Sequence, residues 1–307
     1  MTLQQLVYAV KIADTKSMNK AAAELYVSQP ALSSTIRDLE EELNIELFIR
    51  TNRGIVITAE GDEFLSYARQ MVELNQMIED GTITEDSCKM GYVGAFPYAE
   101  VISGYTSFYL GAKSVCPSVT MEVKYTNSWA SFDLEKECAD ALISDGCVLI
   151  SQHADTTGAP TACEAAGVPC VGYNIDMTSV APNTALTSAS MDWGVYYTYA
   201  VQCMIDGTAI DTDWCKGFAE GADKITSLND KVVAEGTEEK VKEVEDAISD
   251  GSLHVFDTST FTVDGKELDT YEKDGTEYIS DGYFHESEYG SAPAFDIAID
   301  GITSITE

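Results

Sequence analysis

Residues 17–61, SMNKAAAELYVSQPALSSTIRDLEEELNIELFIRTNRGIVITAEG, decide the fold of the amino-terminal part of this chain. Ser17 stands before a run of strong helix formers, and Ser28 stands before a second helical run with Pro30 in its first turn. The second run carries one apolar stripe, which consists of Leu32, Ile36, Leu39 and Leu43. Two short helices joined by a tight turn are typical of a helix-turn-helix.

The segment after the second helix predicts a wing, a two-stranded ribbon that turns at residues 52–54, Asn-Arg-Gly. Thr58 then begins a long helix whose apolar side chains recur every three or four residues. Because such a seam suits a partner helix, we expect a homodimer that forms through residues 59–80.

The run from residue 17 to residue 61 resembles the DNA-binding domain of LysR-type transcriptional regulators, whose members carry Ala-Ala, SQPALS, an I-x-x-LE-x-x-L segment and LF-x-R. The resemblance implies a dimer that places one recognition helix in each major-groove half-site of double-stranded DNA. It further implies that the helix meets DNA through Ser28, Gln29, Pro30, Ser33, Ser34 and Arg37, and the wing through Arg50 and Arg53.

Structural roles remain open for some of these residues. Ser28 and Pro30 are also helix-start residues, and Arg37 can pair with Glu40 or Glu41 on its own helix. We expect the acidic triplet at residues 40–42 to be a solvated face.

The formal charge of −34 is unevenly distributed along the chain. Residues 1–80 hold 7 Lys and Arg against 13 Asp and Glu, and the remaining residues hold 11 against 39. Because the negative electrostatic field of the chain repels nucleic acid, DNA binding must depend on a few well-placed cations. The acidic remainder is more typical of a ligand-binding or interaction body.

Composition argues against several classes of protein. The 8 cysteines form no Cys-x-x-Cys pair, and the 3 histidines lie far apart in the sequence. We therefore expect reduced, mostly structural thiols, no metal site and no cofactor. The sequence shows neither a membrane-length apolar stretch nor a secretion signal, which favours the cytoplasm and no membrane insertion.

A polar linker at residues 81–88 precedes a body at 89–307 in which runs of strand length alternate with helical runs. We expect an α/β chain: a helix-dominated winged helix-turn-helix at 1–58, the linker and dimerisation helix at 59–80, and then a parallel-sheet domain covered on both faces. The expected strands are 89–96, 120–127, 147–155, 168–177 and 184–193, and the expected helices are 101–115, 132–146, 159–167 and 194–207. The acidic runs at 239–251 and 263–278 are expected to be turn-rich surface segments.

Polar and aromatic side chains follow four consecutive strands of the expected sheet. Ligands bind beyond the carboxyl ends of parallel strands. The residues expected there are Trp129, His153, Asp155, Asn174, Asp176, Asp192 and Trp193. Two indoles and several hydrogen-bonding groups suit a planar heteroaromatic ligand such as a purine. The alternative is that the indoles are hydrophobic plugs and the polar residues are caps and turns.

The body resembles the basic membrane protein family of solute-binding proteins, which serve nucleoside and purine uptake by ABC transporters and have a periplasmic-binding-protein-like fold. The matching pieces lie at residues 89–96, 125–160, 171–177, 181–201, 251–261 and 280–301. In nucleoside-binding members an Asp grips the ribose where this chain has Asn174, and a Lys stands where it has Met191. These departures leave a nucleobase or a related small molecule open as the ligand. Members also open with a βα lobe where this chain has its DNA-binding domain, so the body is expected to lack most of one lobe.

Two functions remain open from the sequence. The first is a DNA-binding regulator of LysR type whose body senses a purine or nucleoside-like ligand. The second is a cell-surface or periplasmic ABC transporter substrate-binding protein whose amino terminus has been replaced. We expect no enzymatic activity, because we find no nucleophile elbow, phosphate loop or metal cluster, and the polar residues clustered at the strand ends lack a nucleophile paired with a base.

Overall fold

The computed structural model describes residues 2–51, 54–62, 64–65, 68–69, 72, 88–234 and 236–305. The chain folds into two compact units, Met1–Glu85 and Asp86–Glu307. Among the described residues, no helix combines the length and the apolar character needed to span a membrane.

The amino-terminal unit is a helix-turn-helix followed by a hairpin, as predicted. Its elements are α1 (Leu3–Thr15), α2 (Met18–Glu24), α3 (Gln29–Leu43), β1 (Phe48–Thr51) and β2 (Gly54–Ile57). The predicted caps are confirmed, because the hydroxyls of Ser17 and Ser28 accept hydrogen bonds from the third backbone N–H that follows each of them. The apolar stripe of α3 is buried against α1, α2 and the hairpin.

The wing is an antiparallel pair in which Phe48 lies opposite Ile57 and Thr51 lies opposite Gly54. Gly54 has φ +125°, and a Cβ there would lie 2.9 Å from the carbonyl oxygen of Lys16. This close approach lets Ile55 N–H donate to the same carbonyl at 3.1 Å, which ties the wing to the end of α1.

Part of the predicted dimerisation helix is described. The Thr58 hydroxyl accepts from Gly61 N–H at 2.8 Å and caps a helix that begins at residue 59. Residues 59–62, 64–65, 68–69 and 72 are helical. The other positions of the seam expected over 59–80, and most of the expected linker at 81–88, lie outside the described residues.

The body is built from alternating strands and helices, each close to its expected range. The first part comprises β3 (Lys89–Gly94), α4 (Ala99–Val115), β4 (Thr120–Tyr125), α5 (Phe132–Ser144), β5 (Leu149–His153), α6 (Gly158–Ala166), β6 (Cys170–Tyr173), β7 (Ala185–Met191) and α7 (Trp193–Asp206). The second part comprises β8 (Asp223–Ile225), α8 (Thr237–Ser249), β9 (Glu272–Lys273), β10 (Thr276–Glu277), β11 (Ile279–Ser280), β12 (Tyr283–Phe284) and β13 (Ile302–Ile305).

Seven strands form one sheet in the order β13-β4-β3-β5-β6-β7-β8. All neighbouring pairs are parallel except β7 and β8. Alternate side chains of β3 enter two cores, since Met90 and Tyr92 pack with α4 whereas Val93 packs with α5 and α6. The predicted parallel sheet with helices on both faces is therefore confirmed.

The order of the strands predicts a crevice at the carboxyl ends of the central strands. The chain leaves β3 for β4 on one side and then crosses to β5 on the other side of β3. The helices that follow β3 and β4 diverge at such a reversal, which opens the carboxyl ends of the central strands to a ligand.

One expectation about the surface was wrong. The acidic run at residues 239–251 lies largely within a helix, α8 (Thr237–Ser249), rather than in turns. Val241, Val244 and Ile248 recur at three and four residues and share one partly buried face. The charged residues between them occupy the other face, so a high acidic content is compatible with an amphipathic helix.

Candidate DNA-recognition helix and ligand site

Helix α3 presents most of the residues that the sequence assigns to DNA. Ser28, Pro30, Ser34 and Arg37 are exposed, and Gln29 is half-buried. Ser28 is also the N-cap of α3, since its hydroxyl accepts from Ala31 N–H at 3.3 Å. The exposed residues form a small polar surface around the amino-terminal half of the helix.

Ser33 differs from the other serines of this set because it is 7 % exposed and belongs to the inner side of α3. Arg50 lies on strand β1, but its side chain is outside the described residues, and so is the whole of Arg53. The assignment of both arginines to the wing therefore stays a prediction.

Few cations of this unit are available to a phosphate. Lys11 and Lys20 both lie within 4 Å of the Glu24 carboxylate, and Arg69 pairs with Asp14 at 2.5 Å. Within the described residues neither Arg37 nor Lys16 forms an ion pair. Exposed Lys16, whose carbonyl holds the wing strand β2, is a candidate that the sequence interpretation missed.

Glu40 does not belong to a solvated acidic face. Its carboxylate accepts hydrogen bonds from Leu47 N–H at 2.8 Å and Phe48 N–H at 3.1 Å. Because these bonds join α3 to the first residues of the wing, Glu40 fixes the angle between the two elements and is not a partner of Arg37.

In the body, five aromatic rings meet at the carboxyl ends of β3, β4, β5 and β6. They form the strand-end cluster, which consists of Phe96, Tyr98, Trp129, His153 and Tyr173. Trp129 lies 5.7 Å from Phe96 and 6.1 Å from His153 between ring centroids. The His153 and Tyr173 rings are 4.3 Å apart. Four separate segments thus supply one aromatic surface at the crevice of the sheet.

His153 is the buried polar centre of this cluster. It is 6 % exposed, and burial lowers the pKa of its imidazole to about 4, although Asp155 opposes the shift. Its Nε2 has no hydrogen-bond partner within the described residues and lies 3.6 Å from the Glu100 carboxylate. At neutral pH this site therefore holds an uncharged imidazole whose buried Nε2 lacks a hydrogen-bond partner among the described residues.

Helix α4 closes one side of the imidazole. Gly104 packs so tightly that a Cβ there would lie 2.7 Å from His153 Nδ1. Position 104 therefore requires glycine because the imidazole of His153 lies so close, and not because the backbone turns there.

Asp155 and Asn174 are brought together beside the cluster, as the sequence predicts. Asn174 Nδ2 donates to Asp155 Oδ1 at 3.0 Å, and Asp155 N–H donates to the Trp129 carbonyl at 2.7 Å. The Asn174 carbonyl accepts from the Ser190 hydroxyl at 2.8 Å. These bonds connect the ends of β4, β5, β6 and β7, so the crevice has a hydrogen-bonded rim.

Two buried side chains hold the loop after β5 in place through hydrogen bonds. Gln152 Nε2 donates to the carbonyls of Ala154 and Thr156 at 2.8 and 2.9 Å. The fully buried Glu135 carboxylate accepts from both the backbone N–H and the hydroxyl of Thr156. Burial raises the pKa of Glu135, whereas the hydrogen bonds from Thr156 act in the opposite direction.

Three residues predicted at the ligand site serve other contacts. Asp176 accepts from Thr178 N–H at 2.8 Å and caps a short helical turn. Asp192 caps α7 and pairs with Lys224 at 2.9 Å. Trp193 is 58 % exposed and lies against Tyr197, not against the strand-end cluster. The alternative of caps and turns therefore describes Asp176 and Asp192 better, whereas exposed Trp193 is neither part of the cluster nor a hydrophobic plug.

A hydrogen-bonded serine, histidine and glutamate occur elsewhere in the body. Ser280 Oγ lies 2.7 Å from His285 Nε2, and His285 Nδ1 lies 2.6 Å from Glu288 Oε2. None of the three belongs to the polar residues expected at the strand ends. All three residues belong to one hairpin segment, residues 280–288, where the ring of His285 also contacts Tyr283. We assign these bonds to the stability of the hairpin.

Comparison with protein families identifies both units. The model of the lysR family of bacterial regulatory helix-turn-helix proteins matches residues 3–62. The model described as ABC transporter substrate-binding protein, PnrA-like, matches residues 84–253, which is more than half of the chain.

Individual relatives match one unit each. A purine-binding protein of Brucella abortus is 35% identical over 184 residues, which are 58% of this chain and 53% of the relative. A probable RuBisCO transcriptional regulator of Guillardia theta is 48% identical over 73 residues, 24% of each chain. A solute-binding protein of Conexibacter woesei aligns in structure with 21% identity and a TM-score of 0.45, covering 54% of this chain and 56% of its own. This chain thus spans about half the length of the relatives that its body matches.

Proposed function

We propose that this chain, which belongs to the PnrA-like family of ABC transporter substrate-binding proteins and carries a lysR-family helix-turn-helix, is a DNA-binding transcriptional regulator that responds to a small ligand. The amino-terminal unit binds double-stranded DNA as a homodimer, and the body supplies the ligand site. The division at residues 58, 80 and 88 into winged domain, dimerisation helix, linker and body is part of this proposal.

The DNA half of the proposal is supported by the exposed face of α3. Ser28, Pro30 and Ser34 offer short polar or compact side chains that allow the helix to enter a groove, and Arg37 adds a charge that forms no ion pair with the residues that the structure describes. The overall negative charge opposes non-specific binding, so affinity depends on two half-sites being contacted together by a dimer.

The ligand half is carried by one observation, the buried and uncharged His153 within the strand-end cluster. A planar ring can stack on half-buried Trp129, and a ring N–H can donate to the buried, unpartnered His153 Nε2 once the side chains that cover this nitrogen move aside. An uncharged nitrogen heterocycle fits this chemistry, and the purine-binding relative favours a purine among such heterocycles. Because Asn174 already binds Asp155, a nucleobase suits the rim better than a ribose does.

Calorimetric titration of the full-length protein with adenine, hypoxanthine, guanosine and inosine tests the ligand half. We expect micromolar binding of a free base, with one ligand per chain and weaker binding of the nucleosides. Trp129→Ala should weaken this binding, whereas Trp193→Ala is the matched control that removes an indole outside the cluster. Absence of heat with all four compounds, from protein shown to be folded, would overturn the ligand proposal.

The second candidate, a transport subunit, rests on the match of residues 84–253 to a transporter-associated family. DNA footprinting with the full-length protein separates the two candidates. A protected operator supports the regulator, whereas ligand binding without protection of any DNA fragment from the source genome supports the transport subunit.

A further inference from the structure

Two cysteines lie in sulfur–sulfur contact where the body begins. Cys88 immediately precedes β3, and Cys116 is the C-cap of α4. Their Sγ atoms are 3.6 Å apart, with the Cys88 thiol directed at Cys116. The distance is close to van der Waals contact, and a disulfide bond needs about 2.05 Å.

Backbone hydrogen bonds hold both cysteines in this position. Thr120 N–H donates to the Cys88 carbonyl at 3.0 Å, and Val119 N–H donates to the Cys116 carbonyl at 3.0 Å. Since Val119 and Thr120 are consecutive, the two thiols are anchored on the same short segment. To form a bond, the two sulfurs must approach one another by about 1.5 Å from this position.

Solvent exposure distinguishes this pair of cysteines from a second pair, Cys163 and Cys170. Cys88 and Cys116 are half-buried, whereas Cys163 and Cys170, whose thiols are hydrogen-bonded to each other, are at most 2 % exposed. An oxidant in solution can reach the first pair without unfolding the body, but it cannot reach the second.

We propose that Cys88 and Cys116 form a reversible redox site, which a low-molecular-weight disulfide such as glutathione disulfide converts to an intramolecular disulfide bond. The Cys116 thiolate attacks the small disulfide, forms a mixed disulfide and releases one small thiolate. Cys88 loses its proton to solvent and attacks the sulfur of Cys116, which releases the second small thiolate. Two protein thiols are thereby oxidised and one small disulfide is reduced.

The order of the two thiols follows from their surroundings. Burial and the neighbouring Cys116 raise the pKa of Cys88 to about 11, so Cys88 is the protonated partner in the contact. Cys88 therefore attacks second, after solvent has taken its proton, and this step becomes faster as the pH rises.

The bond encloses residues 89–115, which are β3, α4 and the loop between them. This loop carries Phe96 and Tyr98 of the strand-end cluster. The disulfide bond reduces the conformational freedom of the unfolded chain, and it opposes local unfolding of β3 and α4. Oxidation is expected to raise the melting temperature of the body by roughly 5–10 °C.

Peptide mapping after equilibration in glutathione redox buffers tests the proposal. The full-length protein is quenched with an alkylating reagent and digested with trypsin. Cleavage at Arg69, Lys89, Lys113 and Lys124 yields peptides 70–89 and 114–124, each with a single cysteine of the pair. We expect a disulfide-linked species of these two peptides that disappears on reduction and is absent from Cys88→Ser and Cys116→Ser.

Internal controls make the result decisive. Exposed Cys215 should acquire glutathione in the same buffers, which shows that the oxidant is active, while Cys163 and Cys170 should stay alkylated as free thiols. Cys163→Ser should leave the linked peptide unchanged. Separate glutathione adducts on Cys88 and Cys116, or no modification of either while Cys215 is modified, would each overturn the proposal.

Discussion

The two units of this chain build their candidate sites in opposite ways. In the amino-terminal unit the candidate residues are consecutive on one helix and mostly exposed, from Ser28 to Arg37. In the body the strand-end cluster comes from four separate segments around the buried His153. A surface that enters a groove of DNA can be read from one stretch of sequence, whereas a pocket for a small molecule depends on packing between distant segments.

A second contrast concerns the carboxylates that hold each site in place. Glu40 in the first unit and Glu135 in the body each accept two hydrogen bonds from a neighbouring segment. Glu135 is fully buried, and Glu40 is half-buried. Water can reach the half-buried site of Glu40 and take over its hydrogen bonds, but it cannot reach the fully buried site of Glu135, so the two positions should respond differently to truncation.

The largest effect is expected from Glu135→Ala. Removing the buried carboxylate leaves the N–H and hydroxyl of Thr156 without their partner, which should reduce the free energy of unfolding of the body by about 4 kcal/mol. Glu40→Ala should cost the amino-terminal unit about 1–2 kcal/mol. Urea denaturation followed by circular dichroism measures both. Equal losses of unfolding free energy in the two variants would show that burial of the carboxylate does not determine the cost of removing it.

The next largest effect is the loss of stability of the body at low pH, which we attribute to His153. His153 has a pKa of about 4 in the folded body against 6.5 for an unperturbed imidazole. The unfolded chain binds the extra proton, so the contribution is complete above pH 6.5 and is lost as the pH falls towards 4, by about 3 kcal/mol in all. His153→Gln should remove this part of the acid sensitivity. The amino-terminal unit contains no histidine and should show no such component.

Urea titrations at closely spaced pH values between 4 and 7 measure this dependence. Subtracting the His153→Gln profile from that of the wild type isolates the imidazole, because the acidic side chains are common to both proteins. A difference that does not change with pH across this range would contradict the buried, uncharged state of His153.

A smaller effect is expected for the aromatic contacts of the ligand. Trp129→Ala should weaken binding of a free purine base about 30-fold, equivalent to about 2 kcal/mol. Trp193→Ala should change it less than about 2-fold, because that indole packs on Tyr197 at the start of α7. Calorimetric titration of both variants provides the measurement. A loss at Trp193 as large as the loss at Trp129 would move the site to the end of β7.

The smallest effect is expected at the DNA surface. Arg37→Ala should weaken operator binding about 5-fold and lower the slope of log K against log salt by about 1 if the guanidinium contacts a phosphate. Lys20→Ala is the matched control, since Lys20 lies beside Glu24 and is not on α3. Fluorescence anisotropy across a salt series measures both. An unchanged slope for Arg37→Ala would remove Arg37 from the set of phosphate contacts.

Much of the fold follows from periodicity alone. The helix-turn-helix, the wing and the order of strands and helices in the body were predicted because their apolar residues recur at helical or alternating spacing. Helix α8 was missed because its acidic residues concealed the three apolar positions on its inner face. Pairing of β13 with β4 brings residues from opposite ends of the body together, and no local pattern indicates such a contact.

The grouping of side chains at the strand ends was predicted in part. Trp129, His153, Asp155 and Asn174 meet as expected, whereas Asp176 and Asp192 cap helices. An aspartate at the end of a strand fits a helix cap as well as a ligand, and only the following backbone decides between them. Phe96, Tyr98 and Tyr173 were overlooked because single aromatic residues near strand ends are usually part of a core.

The central claim is that a ligand binds at the strand-end cluster, and the most direct test uses a variant whose only tryptophan is Trp129. The chain has three tryptophans, so the double variant Trp193→Phe with Trp214→Phe leaves Trp129 as the single fluorescent indole. Titration of this full-length variant with adenine should quench its emission in a saturable way, with the affinity that calorimetry gives for the wild type. Unchanged Trp129 emission from folded protein, together with saturable quenching in a variant that keeps Trp193 alone, would contradict a ligand site at the strand-end cluster.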